Sequence, residues 1–201
     1  PLRAALEVAQ PLGRASQITQ RFVLAAGARR LDIQTRVAWR EERRLLRALF
    51  PVAVRARRAT YEIQFGHLER ATHANTPWDR ALFEVPAQRW MDLSEPGFGV
   101  ALLNDGRYGH SCHEHVLGLS LLRSPKFPDP QADLGVHEFT YSLLPHAGDW
   151  RAAGVDREAE ALNTPLRAVA LQPRDGAGGQ RDGRHGAADG SRRDAARCEA
   201  W

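Results

Sequence analysis

Cysteine is scarce in this sequence, because only two of its 201 residues are cysteine, Cys112 and Cys198. Two are too few for the disulfide framework that stabilises many small secreted domains, and we expect both thiols to be free. Apolar runs long enough to cross a membrane as a helix are missing too. The N-terminal residues lack the basic and apolar regions of a signal peptide. These absences favour a cytoplasmic protein with no membrane partner.

Lysine is nearly absent as well. Lys126 is the single lysine, so almost all of the 28 positive residues are arginine, and the formal net charge is +4. A basic protein can bind nucleic acid, but here arginine is mixed with Asp and Glu in every segment, and no basic face carries exposed aromatic residues. The charge pattern therefore argues against a nucleic-acid partner.

The residues that are present indicate a globular domain, since 43% are hydrophobic and 26% are charged. The clearest pattern is a strict alternation with polar residues, in which the inward set is Leu31, Ile33, Thr35, Val37 and Trp39. A second alternating run, residues 18–24, precedes it, and Gly27 between the two runs is free to take a positive φ. The two runs predict a β-hairpin.

Six more short runs of apolar, β-branched or aromatic residues are separated by Gly, Pro, Asn and Asp at turn positions. They cover residues 50–54, 61–65, 89–93, 98–103, 116–122 and 136–144. Many short strands at fairly regular spacing predict an all-β domain, either a β-sandwich or barrel-like. Residues 155–162 form the one convincing helical pattern. Residues 39–50 suit either a short helix or a charged hairpin linker.

The composition changes after Leu171. From there until Trp201 ends the chain, the sequence holds no Leu, Ile, Val, Phe, Tyr or Met. Such a segment buries too little apolar surface to offset the cost of ordering its backbone. We therefore predict one domain over residues 1–171 and a low-complexity, disordered tail over residues 172–201.

The segment GHSCHEHV, residues 109–116, carries four side chains of the types that bind zinc. An extended chain sends His110 and Cys112 to one side. It sends His113 and His115 to the other, whereas a tetrahedral site needs all four to converge. A turn could bring them together, but we favour a hairpin tip with incidental histidines over a zinc site. We therefore assign no metal ligand in this chain.

The segment SPKFPDPQADLGVHEFTYSLLPHAGDW, residues 124–150, concentrates acidic residues and histidines. The strand predicted within it places His137 and Glu138 on opposite faces, so these two side chains cannot act together. Asp129 and Asp133 suit turn positions at which their side chains bond nearby backbone N–H groups. We therefore interpret this segment as structural rather than as an active site.

A polar turn at residues 104–108 follows the predicted strand at residues 98–103. Asn, Asp and Gly tolerate positive φ, and the pattern predicts a β-hairpin turn. Polar side chains beside Tyr108 also suit sugar hydroxyls and the apolar face of a sugar ring. Each such residue alone is more often a turn or core residue, so the pattern leaves both roles open.

Several longer strings resemble one known family, and they occur in one order along residues 1–171. They include QRFVLAAGARRLDIQTRVAWRE, GFGVALLNDGRYG and LSLLRSPKFPDPQADLGVHEFTYSLLPHAGDW. The sequence resembles the C-terminal β-domain of glycoside hydrolase family 38 α-mannosidases of the bacterial and cytosolic type. The resemblance implies a β-sandwich of the galactose-mutarotase-like type, incomplete at both ends.

The resemblance also implies where the chemistry lies. In this family an aspartate nucleophile, an acid/base carboxylate and the His and Asp ligands of a divalent metal, zinc, belong to an N-terminal α/β domain that this sequence does not contain. No catalytic residue is therefore assigned here. The chain is expected to pack on that catalytic domain, to meet mannosides through the complete enzyme, and to be inactive alone. A free-standing carbohydrate-binding β-sandwich and a non-functional remnant are the alternatives.

Within the family's architecture, the turn at residues 104–108 resembles one that reaches toward the sugar subsites. The candidate substrate-binding residues are therefore Asn104, Asp105, Arg107 and Tyr108. The first two can bond sugar hydroxyls, Arg107 can donate from its side chain or present its carbonyl, and Tyr108 can cover an apolar sugar face. The alternative is that the segment only makes the turn and that Arg107 is solvated.

Overall fold

The computed structural model describes residues 2–169. Residues up to Asn163 belong to one compact unit. Residues 164–169 carry no regular secondary structure. The tail predicted at residues 172–201 lies outside the described residues, and so does Cys198. No helix in the described range is long and apolar enough to cross a membrane.

Strands dominate the described part of the chain. In chain order they are β1 (Arg3–Leu12), β2 (Ser16–Ala25), β3 (Leu31–Trp39), β4 (Leu45–Pro51), β5 (Arg58–Ile63), β6 (Gly66–Ala71), β7 (Val85–Pro86), β8 (Trp90–Glu95), β9 (Phe98–Asn104), β10 (Gly109–His113), β11 (Val116–Arg123) and β12 (Gly135–Ala147). The helices are short, namely α1 (Pro77–Ala81), α2 (Trp150–Ala153) and α3 (Val155–Asn163). This content confirms the predicted all-β class.

The described strands form two antiparallel sheets. The large sheet has eight strands in the order β1-β2-β3-β12-β9-β8-β5-β6, and the small sheet has four in the order β4-β11-β10-β7. The predicted hairpin is present, because β2 pairs with β3 and places Leu24 opposite Leu31. Gly27 lies in the connection at φ 75°, where a residue with a side chain is strained.

The main hydrophobic core lies between the two sheets and makes the domain a sandwich. Along β3, every second residue from Ile33 to Trp39 is buried, and the residues between them face away from the core. From the other side, β11 contributes Leu117 and Leu119, both completely buried. A slip of β3 by one residue would turn its buried set toward solvent, so this alternation fixes the register.

A helical layer covers the outer face of the large sheet. There Leu103 of β9 and Leu144 of β12 pack with Val155 and Ala159 of α3. The helix predicted at residues 155–162 is confirmed as α3, and its two buried residues are four positions apart, on one helix face. The large sheet is therefore buried on both faces where the helices lie.

The same outer face buries an ion pair. Nε2 of His146 lies 2.7 Å from Oδ1 of Asp92, and the two side chains are 0% and 1% exposed. Ser94 Oγ donates to the other carboxylate oxygen. Gly99 leaves the necessary room, since a Cβ there would overlap the His146 ring. Burial disfavours the charged imidazolium, but the hydrogen bond and charge of Asp92 outweigh it and raise the pKa of His146 above its usual value.

The strand pattern read from the sequence is wrong or incomplete in several places. Residues 39–50 form no helix, because β3 ends at Trp39 and β4 begins at Leu45. The residues between them are a charged linker, but it crosses from the large sheet to the small one instead of closing a hairpin. Four of the strands in the described range were not predicted, namely β1, β6, β7 and β10. β1 and β6 are almost entirely exposed, so burial imposes no alternation on them.

Candidate functional site

The turn at residues 104–108 connects the two sheets. β9 pairs with β8 and β12 in the large sheet, whereas β10 pairs with β11 and β7 in the small sheet. The prediction of a β-hairpin here is therefore wrong. The chain crosses from one layer of the sandwich to the other, and Gly106 at φ 128° permits the bend. We call residues 104–108 the crossover segment.

Asn104 holds the crossover segment from inside, and its side chain is completely buried. Its Oδ1 accepts the backbone N–H groups of Gly106 at 2.9 Å and Arg107 at 2.6 Å. Its Nδ2 donates to the carbonyl of Gln88 at 3.0 Å. Because both ends of the amide bond to protein groups, Asn104 determines the shape of the segment.

Asp105 lies at the surface and is tied to the large sheet. Its Oδ2 accepts the N–H of Thr140 at 2.7 Å, and its own N–H donates to the Thr140 carbonyl at 3.1 Å. Partial desolvation of the carboxyl group against the large sheet raises the pKa of Asp105, although the Thr140 bond and the charge of Arg107 oppose that rise. A carboxylate has about four acceptor sites, so the group keeps sites for hydroxyl donors.

Arg107 and Tyr108 form the outward side of the crossover segment. The guanidinium carbon of Arg107 lies 4.3 Å from the centroid of the Phe139 ring, which is a cation–π arrangement. Its Nε is buried and has no hydrogen-bond partner in the part of the chain that the structure describes. Tyr108 is 56% exposed, and its carbonyl accepts the N–H of Ala87 at 3.0 Å. The segment thus presents a fixed guanidinium beside an accessible aromatic ring.

His110 anchors the crossover segment, a role that its sequence context did not indicate. The residue is completely buried. Its Nδ1 lies 3.2 Å from the carbonyl oxygen of Tyr108, and its Nε2 lies 3.3 Å from Nδ2 of Asn104. A carbonyl can only accept, so Nδ1 carries the proton and Nε2 accepts from the amide. Burial lowers the pKa of His110 to about 4, which keeps the ring neutral at pH 7.

The other zinc-type side chains of GHSCHEHV lie apart from this buried ring. Cys112 is half-buried, and burial raises the pKa of its thiol to about 12. His113 and His115 are exposed. Among the described residues, no group of three His, Cys, Asp or Glu side chains is placed to hold a metal ion. The geometry of this segment therefore offers no zinc site.

The acidic residues and histidines around β12 also have protein partners. His137 Nε2 lies 2.8 Å from the Asp133 carbonyl, whereas Glu138 pairs with Arg36 of β3. Asp129 accepts a backbone N–H two residues further along the chain, as an Asx turn does. The Asp133 carboxylate accepts a backbone N–H at the end of β11. These contacts agree with the structural interpretation of the segment.

Acid is expected to destabilise the domain through His110. Its pKa is about 4 in the folded state and 6.5 ordinarily, so the unfolded chain takes up the proton first. The stability present above pH 6.5 is therefore lost as the pH falls toward 4, by about 2 kcal/mol between pH 7 and pH 5. Urea denaturation at the two pH values measures this loss. His110→Gln should reduce it, and an equal loss in the variant would contradict the assignment.

Comparison with known proteins matches most of the chain to one family. The family model described as "Glycosyl hydrolases family 38 C-terminal domain" matches residues 1–131. Alpha-mannosidase 2C1 of Homo sapiens is 55% identical over 154 residues, which cover 77% of this chain and 15% of that protein. Alpha-mannosidase G of Dictyostelium discoideum is 48% identical over 168 residues, covering 81% of this chain and 15% of that protein.

A solved structure shows the same fold. The alpha-mannosidase from Enterococcus faecalis V583 matches with a TM-score of 0.68 at 16% identity, over 74% of this chain and 18% of that chain. The chain thus spans less than a fifth of the length of these relatives. The family model covers well over half of the 201 residues, so the match does not rest on one short motif. The chain belongs to the C-terminal domain family of the family 38 glycosyl hydrolases.

Proposed function

We propose that this chain serves as the C-terminal β-domain of an α-mannosidase, which removes terminal α-mannosyl residues from mannosides or oligosaccharides. The observation that carries the proposal is 55% identity to human alpha-mannosidase 2C1 across most of the described domain. In the complete enzyme the sandwich packs on an N-terminal catalytic domain. The scarcity of cysteine fits a cytoplasmic enzyme.

The chemistry of such an enzyme lies outside this chain in our proposal. A retaining glycosidase uses two carboxylates in succession, through a covalent glycosyl-enzyme. A divalent metal, zinc, is held by the catalytic domain, as the resemblance to family 38 α-mannosidases implies. This chain therefore contributes no reacting group, and its part is to support and complete the sugar site.

The crossover segment is the part of the chain that we propose faces the mannoside. Asp105 offers acceptor sites at the surface, and Arg107 offers N–H donors in a position that the Phe139 stack fixes. The exposed ring of Tyr108 suits the apolar face of a sugar. Asn104 acts by holding these residues in place, because its own amide is occupied by protein groups.

Replacing Arg107 by alanine should therefore impair catalysis more than folding. In an intact family 38 enzyme that carries the same Asn-Asp-Gly-Arg-Tyr segment, kcat/KM for an aryl α-mannoside should fall about ten- to a hundredfold. The melting temperature should change little, since the side chain is only half-buried and its cation–π contact contributes about 0.5–1 kcal/mol.

Arg107→Lys is the matched control for this experiment. Lysine keeps the positive charge but lacks the planar fork of donors, so it should restore only part of the lost activity. Unchanged kinetics in Arg107→Ala would count against a role at the sugar site. So would an activity loss that merely follows a loss of folded protein, because the segment would then be structural only.

A further inference from the structure

A cavity of about 320 Å³ lies beside the small sheet, away from the crossover segment's outward side chains. Its walls come from the small sheet, from β5 and β6 at one end of the large sheet, and from α1 with the residues that follow it. The lining includes Arg47, Tyr61, Arg70, Phe83, Ser111 and Cys112.

The cavity lies where the short strand β7 ends and leaves part of the edge of β10 uncovered. β7 pairs with β10 only at Gly109 and His110, so from Ser111 onward this edge of β10 has no neighbouring strand in the described range. Tyr61 approaches the edge instead, and its hydroxyl bonds to the backbone of Cys112. Cys112 adds no charge to the cavity, because burial raises the pKa of its thiol to about 12.

Positive charge dominates the cavity lining. Arg47, Arg70 and Arg80 all line it, and the acidic lining residue is Asp79. The Asp79 carboxylate caps α1 by accepting the backbone N–H of Thr76 at 3.0 Å. One carboxylate that is already bonded cannot balance three guanidinium groups, so the cavity favours an anion.

Two of these arginines have buried donors without partners. The Nε atoms of Arg47 and Arg70 are both buried and bond to no protein group within the described residues. An unsatisfied buried N–H is costly, about 1–3 kcal/mol, and is rare in folded proteins. Neither guanidinium group therefore has its full set of hydrogen bonds within the protein, although both side chains line the same cavity.

Both guanidinium groups are also held in place. Arg47 lies across Gly118 of β11 and donates to Ser111 Oγ, and a Cβ on residue 118 would be 2.7 Å from its Nη2. The guanidinium carbon of Arg70 lies 5.8 Å from the centroid of the Tyr61 ring. Donors that are fixed before binding lose less conformational freedom when a ligand arrives.

We propose that this cavity binds the oxyanion of a small organic molecule, a phosphate monoester or a carboxylate. The guanidinium groups of Arg47 and Arg70 donate to the oxyanion, since guanidinium donors match phosphate and carboxylate oxygens. Phe83, which lines the cavity and is 77% exposed, covers the body of the ligand. The site takes one anionic group with a compact, partly apolar body.

Titration of the 201-residue chain tests this proposal directly. Inorganic phosphate, a hexose 6-phosphate and a hexuronate are titrated separately by calorimetry at constant ionic strength, with the neutral hexose as a blank. Saturable binding of a phosphate or of the hexuronate supports the site. The anion that binds with the higher affinity identifies whether the site prefers a phosphate or a carboxylate. Arg47→Gln and Arg70→Gln should each weaken binding about tenfold or more.

Two further variants distinguish binding in the cavity from a general effect of positive charge and from an effect of misfolding. Arg40→Gln removes the same charge from an exposed position at the end of β3 and should leave affinity unchanged. Phe83→Ala, at an exposed position, should weaken the organic anions but not inorganic phosphate. The proposal is overturned if none of the three anions binds saturably, or if Arg40→Gln weakens binding as much as the cavity variants do.

Discussion

Replacing Asp92 by alanine is expected to lower the free energy of unfolding by about 3–5 kcal/mol, because it leaves the buried His146 without its partner. The pair is almost completely buried, and the lost carboxylate also accepts from Ser94. Urea denaturation at pH 6, followed by far-UV circular dichroism, measures the loss. The double variant Asp92→Leu/His146→Leu should cost less than the single change, since it removes both charges together.

The pH dependence provides an independent check on the same pair. The pKa of His146 is raised above its unfolded value of 6.5, so the stability it contributes is fully present below pH 6.5. That stability is lost as the pH rises through the folded pKa. Asp92→Ala should remove this alkaline decline. A single variant no less stable than the double one, with the decline intact, would contradict a stabilising ion pair.

Replacing Asn104 by alanine is expected to destabilise the domain by about 2–4 kcal/mol, since three backbone groups lose their partner. The N–H groups of Gly106 and Arg107 and the carbonyl of Gln88 all bond to this one amide. Part of the loss is recovered where the segment reaches water. Thermal unfolding of the variant beside the wild type measures the effect.

Asn104→Asp is the informative comparison for that measurement. Aspartate keeps the acceptor oxygens for the two N–H groups but loses the donor to Gln88 and places a charge in a fully buried position. It should therefore be at least as harmful as alanine at pH 7 and recover partly in acid. If both variants unfold like the wild type, the segment does not depend on this amide.

Those parts of the fold with one buried face could be predicted from the sequence. The alternation in β3 follows directly from burial of Ile33, Val37 and Trp39 against the small sheet, and α3 follows from the spacing of Val155 and Ala159. β1 and β6 could not be found in this way, since their residues are almost all exposed. Burial of one face imposes a regular spacing of apolar residues on the sequence, and an exposed strand has no such spacing.

The position of the candidate site in the sequence could be predicted, but its three-dimensional geometry could not. The Asn-Asp-Gly pattern correctly located a turn after β9, because Gly106 takes the positive φ that the bend requires. Turn chemistry is the same whether the next strand joins the same sheet or the opposite one, so the crossing between sheets was missed. That His110 lies under Asn104 depends on the same crossing. The cavity lined by Arg47 and Arg70 brings together residues of β4 and β6, which are far apart in the sequence. No short stretch of sequence therefore indicates it.

The two buried histidines give the molecule a pair of spectroscopic reporters with opposite protonation states. At pH 6, His146 carries a proton on both ring nitrogens, whereas His110 is neutral with its proton on Nδ1. A long-range ¹H–¹⁵N spectrum therefore separates two closely spaced nitrogen signals from two widely spaced ones. The first set monitors the outer face of the large sheet, and the second monitors the crossover segment, so local loosening of either layer can be followed without adding a probe.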